Sequence, residues 1–197
     1  NAKFAGIACG MKNTGIGNGV QDESKVKVVI DSPTEITIHH GWTEMGQGVF
    51  TMAVQFLCEA TGVNPNFISV KVDTSKDTPC GMTTASRGTS LIGNSVLDAG
   101  NKLKADLETH SLQELVGREY VGEWVCDWTT AIEADADEPQ THYSYSYATQ
   151  VVTLDDSGKV ENVFAAHDAG RIVNPILFEG QLEGSVHMGL GYALSEK

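Results

Sequence analysis

HHGWTEMGQGVFTMAVQFLCEATG, residues 39–62, changes character partway along. From Val49 onward the apolar positions Val49, Met52, Ala53, Phe56, Leu57 and Ala60 follow the three-and-four spacing of one buried helical face. Gly62 stands where a helix ends on a glycine. The preceding Met45-Gly46-Gln47-Gly48 sets two glycines around a glutamine in the predicted first turn. Glycine inside a helix costs roughly 0.5–1 kcal/mol relative to alanine, so these two need a reason.

Working outward, Phe4–Cys9 reads as a short strand, followed by a glycine-rich loop from Met11 to Gly19. Val26–Ile30 and Glu35–His40 are apolar runs around Ser32-Pro33, which predicts two strands and a turn. Phe67–Val72 is a further strand. A polar loop from Thr74 to Gly88 leads to a second helix from about Thr89, with Ile92, Val96, Ala99, Leu103 and Leu107 inward. A short helix is expected near Leu112–Val116, then a strand region over Tyr120–Ala131. Tyr143, Tyr145 and Tyr147 alternate on one sheet face. Asp155-Asp-Ser-Gly158 turns that strand back as a hairpin toward Val160–His167, and a glycine-rich helix from about Pro175 to Leu194 follows. Strands and helices come in groups without regular alternation, so the fold class is α+β, with mixed sheets and packed helices.

Composition narrows the function. With 197 residues the chain buries a sizeable core, and 41% apolar residues fit a globular domain. A net charge of −13 argues against nucleic acid and against anionic membrane surfaces. No apolar run approaches the roughly 20 residues of a spanning helix. The four cysteines, Cys9, Cys58, Cys80 and Cys126, form no C-x-x-C pair and read as reduced thiols of a cytoplasmic protein. No metal-ligand spacing is present: His39 and His40 are neighbours on a strand and face opposite ways. Asn1-Ala2 is read as an expression-tag remnant, leaving 3–197 as one domain and a fragment of a larger subunit.

Three helices carry glycines at or near their starts: TEMGQG, TTASRGTS and FEGQLEGS. Close packing or capping is the plain explanation, with Thr43 and Thr89 as candidate N-caps. The functional one is a polar, partly anionic ligand held by bare N–H groups at the positive helix ends. Gly46 and Gly48 would admit it to the backbone, and Gln47 offers both a donor and an acceptor. Thr83, Thr84, Ser86 and Thr89 add hydroxyls, and Arg87 is the one nearby cation. A P-loop is absent, and Gly15-Ile-Gly-Asn-Gly19 lacks the strand-turn-helix context of a dinucleotide site.

These segments are recognisable together. His40-Gly-Trp-Thr-Glu-Met-Gly-Gln-Gly48 resembles the E-M-G-Q-G segment of the molybdenum hydroxylases, the xanthine dehydrogenase and aldehyde oxidoreductase family. Thr83-Thr-Ala-Ser-Arg-Gly-Thr89 is similar to that family's second cofactor loop. Asp168-Ala-Gly-Arg-Ile-Val-Asn-Pro175 with Gly180-Gln-Leu-Glu-Gly184 resembles its D-x-G-x-x-x-N-P…G-Q-x-E-G block. The resemblance implies a molybdenum-cofactor-binding domain of a bacterial-type enzyme. Its cofactor would be molybdopterin, as the cytosine dinucleotide, carrying Mo. Met45, Gly46, Gln47 and Gly48 would meet the cofactor; Thr83, Ala85, Ser86, Arg87 and Gly88 would line its phosphate-containing part; Gln181 would lie at the pterin end. Cys9 and Gly10 would stand near a small-molecule substrate.

The family's reaction is hydroxylation of an electron-poor carbon of a purine, related N-heterocycle or aldehyde with water-derived oxygen. A glutamate serves as the base, and electrons pass to 2Fe-2S clusters and FAD on other domains or subunits. Its catalytic glutamate loop has no counterpart here, so no catalytic residue is assigned. The fragment is expected to be inactive and cofactor-free alone, with the remaining molybdopterin-binding domain of the same subunit as its partner. Two rivals remain: a non-catalytic module for a nucleotide or phosphate ligand, and a structural domain whose glycines only allow close helix packing.

Overall fold

Among the described residues, seven strands and three α-helices succeed one another: β1 (Ala5–Thr14), β2 (Asp22–Ser32), β3 (Glu35–His39), α1 (Val49–Thr61), β4 (Ile68–Lys71), α2 (Gly88–Leu107), β5 (Glu119–Cys126), β6 (Ser144–Leu154), β7 (Val160–Asp168) and α3 (Pro175–Leu194). They are seen in a computed structural model that describes residues 4–73 and 75–196; the tag reading of Asn1-Ala2 lies outside the described residues. The chain forms two compact units, Gly15–Tyr143 and a smaller one joining the segment before Gly15 to Ser144 onward.

In the larger unit a mixed sheet runs β4-β3-β2-β5. β2 pairs antiparallel with β3 and β5, and β3 pairs parallel with β4. β2 alternates strictly: Asp22, Ser24, Val26, Val28 and Ile30 are buried, while Lys25 and Lys27 reach carboxylates on the other face. The apolar end of the buried row joins Ile36, Ile38, Leu57, Leu91, Ile92, Val96 and Leu103 in one core beneath α1 and α2. The α1 face is the expected one, and the Gly62 N–H closes the helix on the Cys58 carbonyl. Close approach of α1 to α2 depends on two glycines inside α2. A Cβ on Gly93 would stand 2.6 Å from Phe56 Cζ, and one on Gly100 would stand 2.7 Å from Ala60 Cβ.

In the smaller unit β1-β6-β7 form an antiparallel sheet, and the β6–β7 hairpin turns at Asp155 as expected. The Asn174 side chain caps α3 at the Leu177 N–H, with Pro175 in the first turn. α3 has no buried residue: it stands over the sheet across a cavity of about 700 Å³ lined by Ile7, Val152, Val163, Val186 and Leu190. Among the described residues, no helix is long and apolar enough to cross a membrane.

Several boundaries differ from expectation. β1 continues to Thr14, because register with β6 holds through Thr14 opposite Ser144. β2 begins at Asp22, four residues before its apolar run, since Asp22 and Ser24 keep the alternation with polar side chains. Phe67 closes a 3₁₀ turn rather than opening β4. The helix expected at Leu112–Val116 is a run of turns bonded to the Ser111 and Leu112 carbonyls. β5 stops at Cys126, short of Ala131. Tyr143 precedes β6 and packs edge-on against Trp124 and Trp128, so only Tyr145 and Tyr147 share the strand.

Candidate cofactor-binding site

The start of α1 is built on buried anchors. His40 is fully buried; its Nδ1 accepts from the Trp42 N–H at 3.1 Å, and burial pushes the imidazole down to about 4, so it is neutral at pH 7. Trp42, also fully buried, donates from its indole to Ser24 Oγ at 3.1 Å. The chain then surfaces at Met45, which is 67% exposed.

Gly46 and Gly48 lie before α1, not within its first turn. They have φ of +98° and +82°, and Gly48 is the N-cap. Only glycine takes these angles without strain, so the pair shapes a loop and costs the helix nothing.

The expectation of bare amides at this helix start is overturned. Glu44 Oε1 accepts from Gly46 N and Gly48 N, both at 2.9 Å, and its Oε2 accepts from Phe50 N at 3.1 Å. Partial burial alone would raise the Glu44 carboxyl; the Gly48, Phe50, Gly46 and Val49 amides outweigh it and hold the group below its usual value. Gln47 is engaged as well: Oε1 accepts from Met45 N at 2.6 Å and Nε2 donates to the Thr43 carbonyl at 2.7 Å. One lone pair and one N–H of that amide remain for a ligand.

The start of α2 is the opposite case. Ala85 and Ser86 have φ of +58° and +52°, and Arg87, the N-cap, returns to φ −106°. Left-handed residues followed by a right-handed one turn successive N–H groups into one concavity, a form suited to anions. Among the described residues, the amides of Ser86, Arg87, Gly88 and Thr89 have no acceptor in the chain. Neither expected threonine cap forms: Thr89 lies inside α2, and the Thr43 N–H donates to Thr83 Oγ1 at 3.1 Å.

That last bond joins the two helix starts. A Cβ on Gly88 would stand 3.9 Å from Trp42 Cε3 and 4.0 Å from Val49 Cγ2, so the α2 start also rests on α1. Met45, Gly46, Gln47, Gly48, Thr83, Ala85, Ser86 and Gly88 therefore belong to one neighbouring pair of loops.

Arg87 does not offer its charge there. Its guanidinium is 3% exposed, pairs with Asp22 (1% exposed), donates to the Met82 carbonyl and lies 5.4 Å over the Trp42 ring. Only its backbone faces a ligand role. Asp22 Oδ2 also accepts from Ile16 N at 2.7 Å, and Gly15 N donates to the Ala85 carbonyl at 3.1 Å. The glycine-rich loop is thus structural: the Asn18 and Gly19 amides are likewise bonded, to Thr141 O and Thr129 Oγ1.

Gln181, exposed on α3, and Cys9 and Gly10, on β1, belong to the smaller unit. Cys9 Sγ lies 3.4 Å from Thr149 Oγ1, and Cys9 and Gly10 line the cavity under α3. Among the described residues no three His, Cys, Asp or Glu side chains gather in a metal-binding group. Sequence reasoning missed Asp22, Ser24, His40 and Glu44. For the first two the signal was available in the period-two pattern of Asp22, Ser24, Val26, Val28 and Ile30. For His40 and Glu44 no periodic signal exists.

Two linked loops, one closed by its own carboxylate and one with open amides, make a surface for a polar ligand with an anionic end. The chain matches the family described as "Molybdopterin cofactor-binding domain" over residues 3–197, and it belongs to that family. It is a molybdopterin-binding domain of the xanthine dehydrogenase and aldehyde oxidoreductase type. It is 28% identical to a probable xanthine dehydrogenase component of Bacillus subtilis (strain 168), over 98% of this chain and 30% of that one. It is 25% identical to the nicotine 6-hydroxylase large subunit of Paenarthrobacter nicotinovorans, over 86% of this chain and 25% of that one. Its fold superposes on aldehyde oxidoreductase from Desulfovibrio gigas with a TM-score of 0.86 and 25% identity, covering 98% of this chain and 23% of that one. The chain thus spans less than a third of the length of these relatives.

Proposed function

We propose that the paired starts of α1 and α2 form one wall of a molybdopterin site, with the phosphate-containing end at α2. The observation that carries this is the open row of amides at Ser86–Thr89 beside a loop with an exposed Gly46 and a half-buried Gln47. The residues fit the group in two ways. The α2 start supplies donors to an anion, aided by the helix dipole. At the α1 start Gly46 has nothing within 4 Å of where a Cβ would stand, which leaves room for a ligand against its backbone. Gln47 retains one donor and one acceptor for the pterin's amide-like edge. We assign Met45, Gly46, Gln47, Gly48, Thr83, Ala85, Ser86, Gly88 and the Arg87 backbone to this wall, and Gln181 to the pterin end. Cys9 and Gly10 are proposed to stand near the substrate.

When bound, the cofactor, in its cytosine dinucleotide form, supplies the molybdenum redox centre, and this chain orients it. In the complete subunit the proposed activity is hydroxylation of a purine or related N-heterocycle, or of an aldehyde. The relatives named for xanthine, nicotine and aldehyde substrates support this range. The base, the 2Fe-2S clusters and FAD are proposed to lie on other domains or subunits, and the chain alone to be inactive. The remaining molybdopterin-binding domain is proposed to cover α3, whose Ile176, Met188, Tyr192 and Leu194 are 70–82% exposed. All four cysteines are unpaired, which accords with a reducing cytoplasm; a role in purine catabolism is proposed from the relative named xanthine dehydrogenase.

The test is a charge placed among the open amides. Asp tolerates the left-handed backbone and is favourable at a helix start, so Ser86→Asp should fold. In the full-length enzyme it is expected to lose most of its molybdenum, measured per subunit, while the neutral Ser86→Asn keeps it. Gln47→Ala should reduce molybdenum and activity together. Equal molybdenum in Ser86→Asp and the unmodified enzyme would remove the phosphate from α2.

A further inference from the structure

The two helix starts differ in one respect that their sequences conceal: α1 is closed by a carboxylate and α2 is not. Glu44 reaches over its own loop and takes the N–H groups of Gly46, Gly48 and Phe50, the first two through Oε1 and the third through Oε2. Three donors from alternate residues on one side chain leave the Met45–Gly48 backbone little freedom. The same carboxylate sits at the positive end of α1, where it offsets the helix dipole. An anion arriving at this pair of loops therefore meets a neutralised start at α1 and an open one at α2.

The loop's own conformation depends on this bond set. Gly46 is exposed, and no side chain packs where its Cβ would be. No packing contact holds it there, so the φ of +98° at Gly46 is held by Glu44 together with the Gln47 amide, while Gly48, at +82°, is fixed by Glu44 and by its own carbonyl, which accepts the Met52 N–H at 3.0 Å. Gln47 can present its remaining donor and acceptor in one direction only while Met45 N and Thr43 O stay in place. Glu44 fixes the two glycine amides that follow Met45. Behind it, the fully buried His40 packs edge-on against Phe50 at 5.2 Å and takes the Trp42 N–H, which anchors both ends of the loop.

We propose that Glu44 is a positioning residue for the cofactor: it holds the Met45–Gly48 loop in its ligand-facing shape and denies the α1 start to phosphate, so that the anionic end of the ligand is directed to α2. This deepens the reading of the site given above and rests on it. Glu44 touches no reacting atom; it acts through Gln47 and the glycine backbone.

The test uses the full-length enzyme with three readouts: thermal midpoint, molybdenum per subunit, and the Mo(V) electron paramagnetic resonance signal of the loaded fraction. Glu44→Ala removes both shape and charge. Glu44→Gln keeps an oxygen for Gly46 and Gly48 and removes the charge. Molybdenum in Glu44→Ala is expected to fall roughly tenfold, the lower end of what losing an orienting group costs a bound metal. Glu44→Gln is expected to stay folded, to load partially, and to show an altered Mo(V) signal. If Glu44→Ala does not fold, Glu44→Gln decides alone. Full molybdenum with an unchanged Mo(V) signal in the folded variants, even with a lowered midpoint, would reduce Glu44 to an ordinary cap and overturn the proposal. If Ser86→Asp loses molybdenum while the Glu44 variants do not, only this inference falls. If Ser86→Asp also loads fully, the cofactor reading of the site falls with it.

Discussion

Replacing Asp22 by alanine should unfold the site from beneath. Asp22 and Arg87 are 1% and 3% exposed, and the guanidinium lies over Trp42 with the Met82 carbonyl as its other acceptor. Removing the carboxylate leaves a buried cation without its counter-charge, a change that costs about 3–5 kcal/mol. The Ile16 N–H, 2.7 Å from Asp22 Oδ2, loses its acceptor in the same step. At the 2–4 °C per kcal/mol expected of a chain this size, the midpoint should fall by about 6–20 °C. Trp42, Trp124 and Trp128 all lie in the larger unit, so tryptophan fluorescence during urea unfolding reports on that unit by itself. Asp22→Ala combined with Arg87→Met removes both charges and should recover much of the loss, because a buried pair is expensive to desolvate as well as to break. The partly exposed pair Lys25–Glu123, at 3.3 Å, serves as the comparison: Glu123→Gln leaves Lys25 its bridge to Asp77 and should shift the midpoint little. A loss under about 1 kcal/mol for Asp22→Ala, or a double variant no more stable than the single one, would refute the reasoning.

Acid should weaken the α1 start through His40. The folded imidazole titrates at about 4 against 6.5 for the free group, so the unfolded chain takes up its proton first. The contribution is whole above pH 6.5 and is lost as pH falls toward 4, by about 3 kcal/mol; a His40→Asn chain whose stability falls as steeply over that range would disprove it. Gly100→Ala should destabilise the chain by about 1–3 kcal/mol, because Ala60 Cβ cannot rotate away; a rise in urea midpoint would count against the packing described. Gly180→Ala, with nothing within 4 Å of the new methyl, should instead add helical circular dichroism in the isolated chain.

How much of this is legible along the chain depends on whether a residue's role is periodic. The inward rows of α1 and α2, the β2–β3 hairpin and the start of α3 at Pro175 follow from spacing and local turn chemistry, and they stand where the pattern places them. The site divides differently. Its loops are visible as glycines with no other excuse, yet the reason for those glycines is not the one their spacing suggests. Gly46 and Gly48 read as a cost inside a helix, whereas they precede it at positive φ. The glycines that do serve close packing, Gly93 and Gly100, sit in the middle of α2, where only the partner helix reveals them. Arg87 reads as a cation for a phosphate because nothing in its own loop opposes it; its partner, Asp22, is 65 positions away, at the polar end of a strand whose apolar run begins four residues later. Glu44 carries no signal of its own in a list of residue types and spacings. What it does in the structure, taking the amides at one helix start while those at the neighbouring start stay open, is a property of two loops compared in space, and no window along the chain contains both.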